Sequence, residues 1–469
     1  MSGWSERRTR PGVLAGLRDQ LRDVLGARVL DSEAVRDQHS RDEAFHQALP
    51  DLVAFPQTAE EIASILRACK AYECPVTPWG AGTSLEGNAL ASQGGLCLSL
   101  ARMDRILSVD SEDMLVVVEA GVRRLQLDGE LKGTGLFFPI DPGADATLGG
   151  MAATRASGTT AVKYGTMREN VLSCTVVLAD GRIVRTRSRA PKSAAGYDLT
   201  GLFVGSEGTL GIISDLTLRL RPVPECVATL VCGFDDLAQA VGCVVDTMQL
   251  GLPVLRIEFM DAAMAIAINA FAKLALPETA TLLVELSGGP SEVKETQAVF
   301  AAVMAERGGN LIGTETTAEG RSALWKGRHN ALYASRAQRP GGKVLITDVC
   351  VPISQLTQCL VETRADLNRS SLPATIAGHV GDGNFHAFIC VDPDNAAEIE
   401  EAEALHFRMA ERAIRCGGTC TGEHGIGLGK KRLLELELGA ATPLLADIKR
   451  ALDPSGILNP DKVFDMPLR

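Results

Sequence analysis

The sequence predicts an α+β protein of two main domains, and three observations carry that prediction. A β-α-β unit at residues 52–80 opens into glycine-rich loops. The run Pro222-Val223-Pro224 then breaks the periodic pattern. Beyond it, helices and strands follow in the uneven rhythm of an α+β domain. A length of 469 residues suits two or three domains. The division expected is an N-terminal helical segment at 1–44, a glycine-loop domain at 45–224, an α+β domain at 225–415, and a C-terminal segment at 416–469 that returns to the first domain.

Residues 12–44 read as one or two amphipathic helices, because Leu14, Leu17, Leu21, Val24 and Leu25 recur at helical spacing. Met1–Arg10 is rich in arginine but has no apolar core, so it reads as a solvated arm and not as a secretory signal. Leu52–Pro56 is a short strand. Thr58 and Glu61 make a capping box that opens a helix to about Tyr72. Pro75–Trp79 is the next strand. Further strands are expected at Leu96–Leu100, Leu115–Glu119, Cys174–Leu178 and Gly211–Leu220. Past the boundary come a helix from Leu237, a strand at Val254–Phe259, a helix at Ala262–Phe271 and a strand at Thr281–Leu286. A helix at 291–307 and another around Leu324–Arg336 follow. Strands at Val344–Val351 and Ala374–Val380 precede a helix from about Glu398 to Cys416. Leu452–Pro460 reads as a loop-rich tail.

Composition excludes several classes. A formal charge of -11 without basic stripes argues against a nucleic-acid binder. No run of 18 apolar residues predicts a membrane span. The 12 cysteines show no CxxC…CxxC spacing and read as reduced, mostly buried thiols of a cytosolic-type protein. Cys416 and Cys420 give only a weak metal or disulfide signal.

Three glycine-rich segments lie in the first half: Trp79–Asn88, Gly149–Gly158 and Gly205–Gly211. Backbone amides in such turns form anion nests, and small side chains let the chain approach a pyrophosphate closely. Thr83, Ser84 and Ser157 add hydroxyls. Together they suggest a large phosphorylated cofactor. There is no GxGxxG between a strand and a helix, and no Gly-Lys-Ser/Thr phosphate loop, which weakens nicotinamide and nucleoside triphosphate alternatives.

The richest stretch is Gly378-His379-Val380-Gly381-Asp382-Gly383-Asn384-Phe385-His386, with Gly422-Glu423-His424-Gly425 beyond it. A four-residue turn at Gly381–Asn384 pairs His379 with His386 across a hairpin. Cross-strand partners share a face with Cβ atoms roughly 5 Å apart, close enough for one metal ion. Glu423 adds an oxygen ligand and leaves a position open, the pattern of a catalytic site. His424 is left for proton transfer. The plain alternative is a hairpin whose histidines only hydrogen-bond backbone.

These motifs resemble the flavoprotein family built on the vanillyl-alcohol-oxidase, or PCMH-type, FAD fold. Within it the chain is most similar to D-lactate dehydrogenases, glycolate oxidase catalytic subunits and D-2-hydroxyglutarate dehydrogenases, from about residue 40 to 465. The carriers are Pro78–Ser84, Lys163–Asn170, Gly196-Tyr197-Asp198-Leu199, Gly205–Gly211, His379–His386, Gly422–Gly427 and Asn459-Pro460. The resemblance implies a PCMH-type FAD domain at 45–224 and an antiparallel-sheet substrate, or cap, domain at 225–415. It implies non-covalent FAD on Pro78, Gly80, Ala81, Gly82, Thr83, Ser84, Gly149, Gly150, Ala153, Ser157, Gly158, Gly165, Gly208, Ile213 and Asn459. The relatives carry Asn where Thr154 stands. It further implies zinc or manganese on His379, His386 and Glu423, His424 as general base, and Arg328 as the grip on the substrate carboxylate.

The implied activity is oxidation of a D-2-hydroxy acid to the 2-oxo acid. The hydroxyglutarate enzymes place a lysine and an asparagine where Ile346 and Phe388 stand. An unpaired second carboxylate in an apolar wall is costly, so D-lactate or a slightly larger monocarboxylate is favoured over D-2-hydroxyglutarate or glycolate. A metal-dependent hydrolase and a non-catalytic flavin-binding subunit are the alternatives of other classes. The electron acceptor is a quinone, a cytochrome or an electron-transferring flavoprotein. A homodimer is expected, in the cytoplasm or peripheral at an inner membrane, and mitochondrial in a eukaryote.

Overall fold

The computed structural model describes residues 11–465. Met1–Arg10, expected to be a solvated arm, lies outside the described residues. The chain divides into two compact units. One holds residues up to Ser157, then Gly165–Pro222, then Glu423 onward. The other holds Gly158–Tyr164 and Val223–Gly422. Residues 416–422 therefore cluster with the second unit, where a return to the first was expected, and so do 158–164.

In the first unit, Leu52–Ala54 and Val76–Trp79 both pair in parallel with Leu96–Ser99, which lies between them. Val29–Leu30 adds an antiparallel edge. The helix Ala59–Ala71 crosses between the first two strands and buries Ile62, Ile65, Leu66 and Cys69 along one stripe. Thr58 caps it by accepting from the Glu61 amide at 3.2 Å. The expected reciprocal bond of a capping box is replaced. The Glu61 carboxylate accepts instead from the Gln57 amide and from both arms of Arg28, at 2.7, 2.6 and 2.6 Å. A second sheet is antiparallel, in the order Ile106–Asp110, Leu115–Glu119, Ile212–Arg219, Val171–Val177, Ile183–Arg185.

Two helices that the periodicity did not reveal, Lys431–Leu438 and Thr442–Leu452, lead into the C-terminal tail. That tail is tied down: the Val76 amide donates to Ile457 O and the Asn459 amide to Val76 O, each at 2.8 Å. The wholly buried Lys449 ammonium donates to Asp453 Oδ2, Thr209 O and Leu458 O at 2.6–2.8 Å. Each donor of the ammonium thus has an acceptor, which is what allows a lysine to be buried.

The second unit is built on an eight-stranded antiparallel sheet. Its order is Asn310–Glu315, Cys226–Phe234, Ala280–Gly288, Val254–Met260, Ala374–Gly378, Asn384–Val391, Lys343–Ile346, with Val349–Cys350 also on Asn384–Val391. Helices Pro290–Glu306, Leu237–Gln249, Leu356–Arg369 and Ala396–Arg415 pack side by side in that order. Ala262–Ala272 packs with Ala318–His329 and Ala331–Ala337. The single helix expected around Leu324–Arg336 is these last two, broken at Asn330, whose ψ of 11° leaves the helical well. The strand expected over Val344–Val351 is also two, parted at Thr347-Asp348.

The half-buried Asp42 and the buried Lys462 lie in the first unit. Burial pushes the Asp42 carboxyl up to about 7 and the Lys462 ammonium down to about 8. One oxygen of Asp42 accepts from the Ala44 amide, and the other has no hydrogen-bond partner. A carboxyl whose folded value is raised binds its proton more tightly in the native state, so stability falls as pH rises from about 4 to about 7. Asp42→Asn removes that loss. Thermal melting should show the variant more stable than the parent by about 2 kcal/mol at pH 8, half the full linkage value because the carboxyl keeps some solvent contact, and equal to it at pH 4.

Candidate active site

The glycine-rich loops of the first unit converge. A Cβ on Gly80 would lie 2.3 Å from Thr147 Oγ1, and one on Gly208 would lie 2.4 Å from Pro78 Cγ. Gly82 and Gly208 take φ of +69° and +70°, which glycine alone adopts freely. Thr147 caps the short helix Leu148–Thr154, which carries Gly149, Gly150 and Ala153. The Gly205 and Glu207 amides donate to Ala152 O and Ala153 O at 2.9 and 2.8 Å. Thr154 turns its hydroxyl back onto Gly150 O at 3.3 Å.

Glu207 locks these loops to the C-terminal one. It is wholly buried, and burial raises its pKa. Its carboxylate accepts from the Ile426 and Gly427 amides at 2.6 and 2.9 Å and from Asn88 Nδ2 at 2.6 Å. Asn459 Nδ2 donates to Asn88 O and Glu207 O at 2.9 and 2.6 Å. Pro78, Gly80–Ser84, Gly149, Gly150, Ala153, Ser157, Gly165, Gly208, Ile213 and Asn459 all belong to this unit, whereas Gly158 belongs to the other. Ile213 packs its side chain into the apolar core. The residues fit FAD. Turned glycine amides suit a pyrophosphate, and Asn459 Oδ1 is a buried acceptor without a partner, suited to a polar ring edge.

In the second unit, sheet register assembles a polar cluster on one face. The hairpin differs from expectation by two residues. Ala377, not His379, lies opposite His386. A short 3-10 turn, Val380–Asp382, and Gly383 at φ +84° make the reversal, and His379 sits just past the strand end. A slip of two preserves the face, so the histidines remain diagonal neighbours with ring centroids 5.6 Å apart.

Each histidine meets a carboxylate from the neighbouring strand. The pair Phe259↔Gly378 sets Glu258 opposite His379, and His379 Nδ1 lies 2.7 Å from Glu258 Oε1. The pairs Ile346↔Phe388 and Val349↔Phe385 set Asp348 opposite His386. His386 Nδ1 is 3.0 Å from Thr347 O and 3.7 Å from Asp348 Oδ1. With Nδ1 facing an acceptor in both rings, the proton belongs there and Nε2 carries the lone pair, the arrangement a metal-binding imidazole requires. Asn384 and Thr421 hold Asp348 through bonds of 2.8 Å each. The donor set, with Asn384 Oδ1 buried and unpartnered, fits a divalent ion.

Arg328 lies in Ala318–His329, buried, with Nη2 2.8 Å from Glu258 Oε2. The contact is an ion pair without a hydrogen bond, and neither Nη2 nor Nε has a hydrogen-bond partner. Glu423 and His424 follow directly on Gly422, the last residue of the second unit. Sequence reasoning missed Glu258. The available signal was a lone carboxylate in the strand Val254–Met260, whose only other polar residue is Arg256.

Solved structures share this fold. p-Cresol methylhydroxylase matches with a TM-score of 0.80 at 18% identity, over 98% of each chain. A 4-ethylphenol oxidase from Gulosibacter chungangensis matches at 0.81 and 17% identity, over 98% of this chain and 99% of that one. The model of the FAD-binding domain matches residues 50–187, and that of the FAD-linked oxidase C-terminal domain matches 223–463. The chain therefore belongs to the FAD-linked oxidases, flavoproteins of the PCMH-type fold. Within them it belongs with the D-lactate dehydrogenases. It is 50% identical to the "Probable D-lactate dehydrogenase, mitochondrial" of Danio rerio over 92% of this chain and 88% of that one. It is 43% identical to the mitochondrial D-lactate dehydrogenase [cytochrome] of Arabidopsis thaliana, over 95% and 79%. The glycolate oxidase subunit GlcD of Bacillus subtilis is 34% identical over 96% and 97%. Among the described residues, no helix is long and apolar enough to cross a membrane.

Glu207→Ala should strand two backbone amides and the Asn88 side chain, at a cost of about 3 kcal/mol or more. The expected outcome is a lower melting temperature together with loss of FAD on gel filtration.

Proposed function

We propose that the chain oxidises D-lactate, or a D-2-hydroxy monocarboxylic acid of similar size, to the 2-oxo acid. The observation that carries the substrate choice is the apolar pair Ile346 and Phe388. They lie directly opposite each other, with Phe388 two residues beyond His386 and on the same face. Phe388 is 5% exposed, and its ring centroid is 6.2 Å from that of His386. A second carboxylate against this wall would lose its hydration without gaining a partner. A methyl group loses nothing there.

The residue roles follow from chemistry. Arg328 offers a planar fork with a vacant donor to the substrate carboxylate. His379 and His386 present Nε2 as ligand atoms, and Glu423 supplies the oxygen ligand. Glu423 is within reach because consecutive Cα atoms are about 3.8 Å apart and Gly422 is packed against Asn384. A divalent ion there, zinc or manganese, supplies Lewis acidity to the α-hydroxyl oxygen. His424 takes the hydroxyl proton on its imidazole as the general base. The glycine loops and Asn459 would hold FAD, which when bound would supply a hydride acceptor for the substrate Cα. The electrons then pass to a non-nicotinamide acceptor, for which the relatives named for cytochrome are the guide.

Anaerobic titration of the yellow protein with D-lactate should abolish the flavin's visible absorbance, and L-lactate should leave it unchanged. Reduction by both enantiomers, or by neither, would refute the assignment. In Ile346→Lys/Phe388→Asn, kcat/KM for D-lactate should fall about tenfold or more, while D-2-hydroxyglutarate gains by a similar factor as the second carboxylate finds partners (about 1.4 kcal/mol per tenfold). Steady-state kinetics on both acids checks this.

A further inference from the structure

We propose that Glu258 is a positioning residue that couples the metal ligand His379 to the substrate-binding Arg328. This deepens the function proposed above and rests on it. Glu258 is 0% exposed, so its charge has no water to lean on and must be met by protein. One oxygen lies 2.7 Å from His379 Nδ1 and the other 2.8 Å from Arg328 Nη2. The two oxygens therefore do different work. Oε1 holds the proton of His379 on Nδ1 and so keeps the lone pair on Nε2, where a metal would take it. Oε2 balances the guanidinium of Arg328 by charge, at 2.8 Å from Nη2 and without a hydrogen bond, and leaves Nη2 and Nε both unpartnered as donors.

Glu258 does not meet Arg328 with two parallel bonds, as Glu61 meets Arg28. Here the carboxylate is divided between two partners, and each partner keeps one functional edge. The backbone explains why the division is stable. Glu258 faces His379 through strand register, so that contact is set by the sheet. Arg328 reaches the same carboxylate from the last turn of the helix Ala318–His329. One carboxylate thereby fixes the placement of the α-hydroxyl oxygen through the metal ligand and of the substrate carboxylate through the arginine.

The test uses the FAD-loaded full chain. Glutamine has one acceptor oxygen where glutamate has two, so in Glu258→Gln it can serve His379 or Arg328 but not both. Two quantities are read. One is Zn²⁺ affinity, by competition of the metal-stripped protein with a chromogenic chelator; the other is KM for D-lactate. Glu258→Gln should lose about tenfold or more in at least one of them, and Glu258→Ala in both, the size typical for residues that orient metal ligands. The melting curve shows that each variant is folded, and FAD retention shows that the other unit, which holds the flavin loops, is intact. A folded Glu258→Gln that changes both quantities by less than tenfold overturns the proposal and leaves Glu258 a structural ion-pair partner. A parent protein that binds no Zn²⁺ overturns the metal assignment itself, and this inference with it.

Discussion

The antiparallel register of the strand Asn384–Val391 is the constraint on which the catalytic reading depends. That strand pairs with Ala374–Gly378 on one side and with Lys343–Ile346 and Val349–Cys350 on the other. Side chains alternate along a strand, so one register decides an entire face. Here it puts Glu258, His379, Asn384, His386 and Asp348 together and sets Phe388 and Ile346 beside them. A slip of one residue on any of these strands would send the histidines to the opposite face and bring apolar side chains into the site. The register is held by burial on both faces: every residue from Asn384 to Val391 is buried, so a slip would force Phe385, Ala387 and Ile389 into space shaped for the residues that alternate with them.

The first unit uses a different device. Loops rich in glycine have little apolar surface with which to hold themselves, and ordering glycine costs more backbone entropy than ordering any other residue. Buried charged and amide groups compensate. Glu207 and Asn459 satisfy donors and acceptors from four segments that are far apart in sequence. Burying a carboxylate is unfavourable, as the raised pKa of Glu207 records. Three strong donors offset that penalty, and the result is a set of backbone turns whose remaining amides are preorganised for an anion. Polar interiors in the two units thus serve related ends, fixing glycine turns in one and the orientation of His379 and Asp348 in the other.

Much of this was legible in the linear chain. The helix after Thr58, the strand at Leu115–Glu119 and the helices from Leu237 and Ala262 follow from capping residues and apolar periodicity, and they form at those places. The pairing of His379 with His386 on one face was foreseeable from the turn between them, although the register was not. Turn chemistry admits several loop lengths, and only the packing of Gly378 against Phe385 and Asn384 selects one. Glu258 escaped notice because a single carboxylate in an apolar strand has no local pattern; its partners lie about 70 to 120 positions away in sequence. The helices Lys431–Leu438 and Thr442–Leu452 carried a legible signal in their Leu, Lys, Arg and Glu content that was passed over, since both are short.

By itself, the sequence determined the kinds of chemistry present. It specified glycine turns able to cradle a pyrophosphate, imidazoles and carboxylates in glycine-rich loops, and the apolar residues Ile346 and Phe388. It did so because turn residues, caps and ligand types act through local backbone preference and side-chain chemistry. Only the tertiary structure decided which carboxylate faces which histidine, that one buried glutamate serves both His379 and Arg328, and that Glu207 ties the glycine loops to the returning C-terminal chain. Those contacts join residues distant in sequence, and their partners are chosen by strand register and burial, which no local pattern encodes.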